Sequence, residues 1–232
     1  VKKLNHIILI PLTCFIIVFP FLLRGSGRME ETVSIERIKL PKANYDGPIS
    51  VEKALFKRRS IRRYKNESLN LDEVSQLLWA AQGITDERGF RTAPSAGALY
   101  PLVVYLAVGN VEDLTPGLYK YKPHAHELIK VKEGDIISEI FNAALGQTCV
   151  KNGSIDIVFS AVYQRTTQKY GERGERYVHM EVGHAAQNVY LQATVLDLGT
   201  VVVGAFYDDR LKNILNMPDE EAPLYIMPVG RK

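Results

Sequence analysis

The sequence predicts an α+β domain. Strand-length apolar runs such as LVVYLAV (102–108) and IDIVFSAVY (155–163) occur among amphipathic helical segments. The two kinds mix without the strict strand–helix–strand alternation of a parallel sheet. Of the 232 residues, 46% are apolar and 24% charged, enough for one sizeable core or two small ones.

Residues 1–28 read as a hydrophobic anchor or signal. A basic start, VKKLNH, precedes the uncharged run Ile7–Leu23. As a helix that run would be roughly 26 Å long, close to a minimal membrane span. Thr13 makes LTC a poor lipobox and no A-x-A site follows, which favours an uncleaved membrane anchor over a cleaved signal. Basic residues on both flanks leave the orientation open. If Met29 is the true start, the expectation is a cytoplasmic protein.

Residues 29–49 are polar, contain PKANYDGP, and read as a linker or arm, with a single folded domain over 50–232. Ser50 caps a short helix, SVEKALFKRR. Asn70 caps the clearest helix of the chain, with Glu73 in the capping-box position, Leu71, Val74, Leu77, Leu78 and Ala81 on one stripe, and Gly83 at its end. A strand follows at 102–108, then two strands around a turn in GLYKYKPHAHELIKV. DIISEIFNAAL reads as a helix and IDIVFSAVY as a buried strand. A long helix is expected over 176–198, TVVVGAF as a strand ending at Gly204, DDRLKNILNM as a short helix and APLYIMPVG as the last strand.

A net charge of +3 is too small to suggest nucleic acid. Cys14 and Cys149 make no disulfide framework. Dinucleotide and P-loop fingerprints are absent. His179 and His184 lie five apart, about 140° round a helix, which argues against a metal pair. His184 reads instead as a core or interface histidine.

Three stretches invite chemistry. KRRSIRRY gathers Arg58, Arg59, Arg62 and Arg63 around Ser60. Guanidinium forks and a hydroxyl suit a phosphate, and a solvated basic turn would look the same. RTAPSAGALYP packs small residues between two prolines, so that backbone N–H and C=O groups can approach a flat ligand, or so that the chain can bend tightly into a strand. LGTVVVGAF offers backbone N–H groups near Gly204, and Arg231 follows the last strand.

In this order, the pieces resemble the FMN-dependent nitroreductase superfamily from about Ser50 onward. RRSIRRY, APSAGALYP, LGTVVVGAF and PVGR carry the resemblance. PSAGALYP and KYGERGERYVHMEVGHAAQNVYLQA are more narrowly similar to the azoline-oxidising, SagB-type dehydrogenase branch. Other nitroreductases tend to have Asn where this chain has Ala98 and Gln where it has Tyr100.

The resemblance implies a mostly antiparallel sheet flanked by helices in a domain-swapped homodimer, with FMN at the subunit interface. Arg58, Ser60 and Arg62 would hold the FMN phosphate and the pyrimidine side, with Arg59 beside them. Pro94, Ser95, Ala96 and Gly97 would line the flavin from the other subunit. The backbone at Val203 and Gly204 would face flavin N5, and Arg231 would be a further phosphate ligand. Lys169 and Tyr170 would take a proton from the substrate. The implied reaction is hydride transfer through N5 by a ping-pong mechanism, either as a SagB-type dehydrogenase or as a reductase drawing on NAD(P)H. No metal is implied. A contrasting expectation is a membrane-tethered flavin- or anion-binding module without turnover.

Overall fold

The computed structural model describes residues 36–232. Seven strands, β1 (Arg37–Lys39), β2 (Leu102–Val108), β3 (Gly117–Lys122), β4 (Glu127–Glu133), β5 (Ile155–Val162), β6 (Leu198–Thr200) and β7 (Glu221–Arg231), form one sheet. Its order is β1-β4-β3-β2-β5-β7-β6, and every pairing is antiparallel.

The central strand β2 is buried along its whole length. Successive side chains point to opposite faces, so a strand covered on both sides reads as a continuous apolar run. Leu102, Val104, Leu106 and Val108 face one core, shared with helices α2 (Leu71–Gln82) and α6 (Arg173–Val195). Val103, Tyr105 and Ala107 face the other, under α3 (Ile136–Ala143), α4 (Thr148–Asn152) and α7 (Asp208–Ile214). The fold is α+β, as the mixture of patterns predicted.

Helix starts follow their caps. Ser50 Oγ accepts from the Lys53 N–H and opens α1 (Val51–Lys57). Asn70 and Glu73 close a complete capping box on α2. Gly83 ends α2, but its φ of −64° is not left-handed. A Cβ there would collide with the Trp79 ring, so close packing requires the glycine.

Three features differ from expectation. Arg37–Lys39, in the stretch read as a linker, pairs with β4 as an edge strand. Neighbouring residues of that stretch bond to the same chain: Ser75 Oγ donates to Pro41 O and Gln76 Nε2 donates to Asn44 O (2.9 Å). QRTTQKY forms helix α5 (Gln164–Tyr170), and α6 starts at Arg173, ahead of the expected 176. TVVVGAF leaves the sheet after Thr200, with only Val203 bridged to Ile226. Of the two places expected for His184, core or interface, exposure on the chain removes the core.

No helix among the described residues is long and apolar enough to cross a membrane. The anchor expected over 1–28 lies outside them.

Candidate functional site

The basic segment owes its place to two glycines. Gly199 of β6 and Gly230 of β7 are paired across the sheet. A Cβ on Gly199 would meet Ile61 Cγ2 at 2.7 Å, and one on Gly230 would meet Tyr64 Cβ at 2.8 Å. Their missing side chains let residues 61–64 lie directly on the β6–β7 edge. The Ile61 N–H donates to Thr200 O (2.9 Å) and the Lys65 N–H to Arg231 O (2.8 Å). Ile61 and Tyr64 therefore turn inward, whereas Arg59, Ser60, Arg62 and Arg63 are exposed and Arg58 is half-buried.

Among the described residues none of these four arginines forms an ion pair. Arg59 folds back, donating to Phe56 O (3.0 Å) and Arg58 O (2.7 Å). The charges of Arg58 and Arg62 are thus uncommitted to any carboxylate there, as an anion site needs.

Tyr190 of α6, which no motif flagged, links two of the expected pieces. Its hydroxyl lies 3.1 Å from Ser60 Oγ and accepts the Val202 N–H at 2.8 Å. The Arg58 guanidinium sits over its ring, 5.3 Å from the centroid. Val203 exchanges both backbone hydrogen bonds with Ile226, at 2.8 and 2.9 Å. Its N–H is therefore already taken, so along the backbone expected to face flavin N5 the donor is left to Gly204. Gly204 is exposed, and its N–H has no partner among the described residues.

The RTAPSAGALYP stretch is a strained turn. Gly97, Ala98 and Tyr100 have φ of 63°, 52° and 47°, left-handed values that cost a residue with a Cβ about 1 kcal/mol or more. Ser95 Oγ accepts the Tyr100 N–H at 2.9 Å, and Arg165 of α5 donates to Tyr100 O at 3.2 Å. Pro94, Gly97 and Ala98 are exposed.

Lys169 and Tyr170, at the end of α5, converge on this turn. A Cβ on Gly97 would lie 2.8 Å from Tyr170 Oη and 3.1 Å from Lys169 Nζ. The Tyr170 ring is held edge-on by Tyr177 of α6, with centroids 5.2 Å apart. No hydrogen bond among the described residues joins this group directly to the Arg58–Ser60 group.

Arg231 does not join either group. Its fork closes on Glu73, with Nη1–Oε1 at 2.6 Å and Nη2–Oε2 at 2.9 Å, and its Nε donates to Ser68 O. The arginine expected to bind phosphate instead ties β7 to the capping box of α2.

A free backbone N–H at Gly204, guanidinium groups without carboxylate partners among the described residues and a Lys–Tyr pair on a strained turn thus sit on an all-antiparallel α+β sheet. The family model described as Nitroreductase family matches residues 55–231, and the chain belongs to this family of oxidoreductases. It is 52% identical over 184 residues to MJ1384 of Methanocaldococcus jannaschii, whose name places it among the nitroreductases, covering 79% of this chain and 92% of that one. It is 28% identical to the microcin B17-processing protein McbC of Escherichia coli, over 70% of this chain and 62% of that protein. It is 27% identical to the trifolitoxin operon protein TfxC of Rhizobium leguminosarum, over 76% of this chain and 54% of that protein. The chain thus spans somewhat more than half of each toxin-pathway relative. A crystal structure from Ralstonia eutropha superposes with a TM-score of 0.73 at 30% identity, covering 84% of this chain and 89% of that one.

Proposed function

We propose that the chain is an FMN-dependent oxidoreductase of the SagB-type dehydrogenase branch, working as a homodimer. The observation that carries this reading is the convergence of Lys169 and Tyr170 on Gly97. A dehydrogenation removes a hydride and a proton together, and a base beside the hydride acceptor is what such a reaction needs. The similarity to McbC and TfxC supports the same branch.

The residues fit the cofactor. Arg58 and Arg62, with Ser60, would bind the phosphate and the pyrimidine side, and the Arg59 side chain would have to unfold from its helix to join them. The Gly204 N–H would face N5. Pro94, Ser95, Ala96 and Gly97 of a second copy would cover the ring, which accounts for the two groups being separate within one chain. Arg231 leaves the set because Glu73 occupies it.

When bound, FMN supplies a hydride-accepting centre. Tyr170 Oη would take the substrate proton as a phenolate and become the neutral phenol, with the Lys169 ammonium beside it balancing the phenolate's charge. The strained turn fixes where Gly97 can touch substrate.

The similarity to MJ1384 favours a second reading, a reductase that takes electrons from NADH or NADPH. The test is to purify the full chain, load it with FMN and mix the yellow protein with NADH or NADPH under anaerobic conditions. Slow bleaching with both, together with turnover on an azoline-containing peptide that is lost in Lys169→Ala, supports the dehydrogenase. Rapid bleaching with either nucleotide and no effect of Lys169→Ala overturns it.

A further inference from the structure

Tyr100 is held at every polar atom it carries, in a backbone shape that its side chain disfavours. Its φ of 47° is left-handed, a genuine outlier for a bulky residue. Its N–H donates to Ser95 Oγ at 2.9 Å, and its carbonyl accepts from Arg165 Nη1 at 3.2 Å. Its phenol oxygen accepts the Arg91 N–H at 3.2 Å, and the Arg91 guanidinium lies over its ring, 4.5 Å from the centroid. Arg91 is fixed in turn at the end of α2, where its Nη1 donates to Oε1 of the fully buried Gln82 at 2.7 Å. A strained residue persists only where its surroundings over-determine it, and such residues gather at functional sites.

These contacts close a circuit through the candidate site. On one side, the bond from the Tyr100 N–H to Ser95 closes the turn that carries Gly97, and the Ala98 N–H donates to Ser95 O at 3.0 Å within it. On the other side, Arg165 leads from the Tyr100 carbonyl into α5, where Lys169 follows one turn later on the same helix face. The two arms meet again where Gly97 faces Tyr170 Oη and Lys169 Nζ. We propose that Tyr100 is a positioning residue: anchored on Arg91, it sets the separation between Gly97 and the Lys169–Tyr170 pair, through Ser95 on one side and Arg165 on the other. The proposal rests on the reading of that pair as the group that takes the substrate proton.

A base moves a proton only within hydrogen-bond reach of it, and a misplacement of about 1 Å can cost roughly a hundredfold in rate. Three substitutions separate the contacts. Tyr100→Gly relaxes the left-handed backbone and removes the ring that Arg91 covers, which frees the turn from α2. Tyr100→Phe keeps the ring under Arg91. Arg165→Met leaves the turn closed by Ser95 and cuts its link to α5.

The test is fluorine NMR of the full chain labelled with meta-fluorotyrosine, with the Tyr170 resonance assigned by its loss in Tyr170→Phe. Spectra are taken without substrate and well below the melting temperature of each variant. The wild type and Tyr100→Phe should give the same single Tyr170 line, and Tyr100→Gly and Arg165→Met should each shift or broaden it. Tyr100→Gly should also lower kcat on an azoline-containing peptide about tenfold or more, with KM within about twofold of the wild type. A Tyr170 line unmoved in Tyr100→Gly overturns the proposal, and so does a moved line with kcat unchanged. If Tyr100→Gly fails to fold, an unmoved line in Arg165→Met overturns it. A moved line in a protein whose wild type never turns the peptide over supports the positioning role and overturns the dehydrogenase reading instead.

Discussion

Gly199 and Gly230 face each other across β6 and β7, and the space above the pair is filled by Ile61 and Tyr64. The placement of residues 58–63, the proposed seat of the phosphate, thus depends on two positions that carry no side chain. Gly230→Ala should push Tyr64 off the strand, at a cost of roughly 1–3 kcal/mol by overpacking. It should weaken FMN binding further than that loss of stability explains. Chemical denaturation and flavin titration on one preparation separate the two effects, and normal FMN affinity would count against the seat.

Arg58→Ala and Arg62→Ala have the opposite profile. Neither side chain is ion-paired among the described residues, so stability should stay within about 0.5 kcal/mol of wild type for Arg62→Ala and about 1 kcal/mol for Arg58→Ala, which also loses the stack on Tyr190. Loss of a charged hydrogen bond to phosphate is worth about 1.5–3 kcal/mol, or roughly ten- to a hundredfold in FMN affinity. Fluorescence titration of FMN checks this, and the loss should shrink at high salt.

Tyr190→Phe removes one oxygen that serves both Ser60 and the Val202 N–H. The Val202 donor is left without its acceptor, for a loss of about 1–2 kcal/mol. Ser60 and Gly204 should then shift relative to each other. FMN should still bind, but with an altered visible spectrum, read by absorbance of the loaded variant.

The stability of the fold should carry the signature of Glu181. Its folded value is raised from 4.5 to about 7, so between these pH values the unfolded chain binds fewer protons than the folded one. Stability therefore falls as pH rises through that window. Relative to wild type, Glu181→Gln should gain up to about 3 kcal/mol between pH 4 and pH 8, one pKa unit being worth ~1.4 kcal/mol. Urea unfolding at the two pH values measures it.

Much of this was legible in the sequence because it is local. Asn70, Glu73 and Ser50 announce their helices through side-chain bonds to nearby amides. LVVYLAV announces a strand covered on both faces. The short basic motif and the small-residue turn could be singled out by residue type as candidates for a ligand. Long-range partnerships were not legible. Nothing near Arg231 in the sequence tells that Glu73, 158 residues away, will occupy its fork. Tyr190 looks like one more helix aromatic until Val202 is folded against it. Val203 bonds to Ile226 because the chain leaves the sheet after Thr200, and apolar patterning alone continues the strand through that point.

The left-handed backbone at Ala98 and Tyr100 has an evolutionary corollary. Glycine or asparagine would relieve these positions at once, so a population selected for heat tolerance alone should drift there first. Whatever such lineages gained in melting temperature they would forfeit in the fixed presentation of Gly97, and the two codons would become the place where robustness and turnover compete.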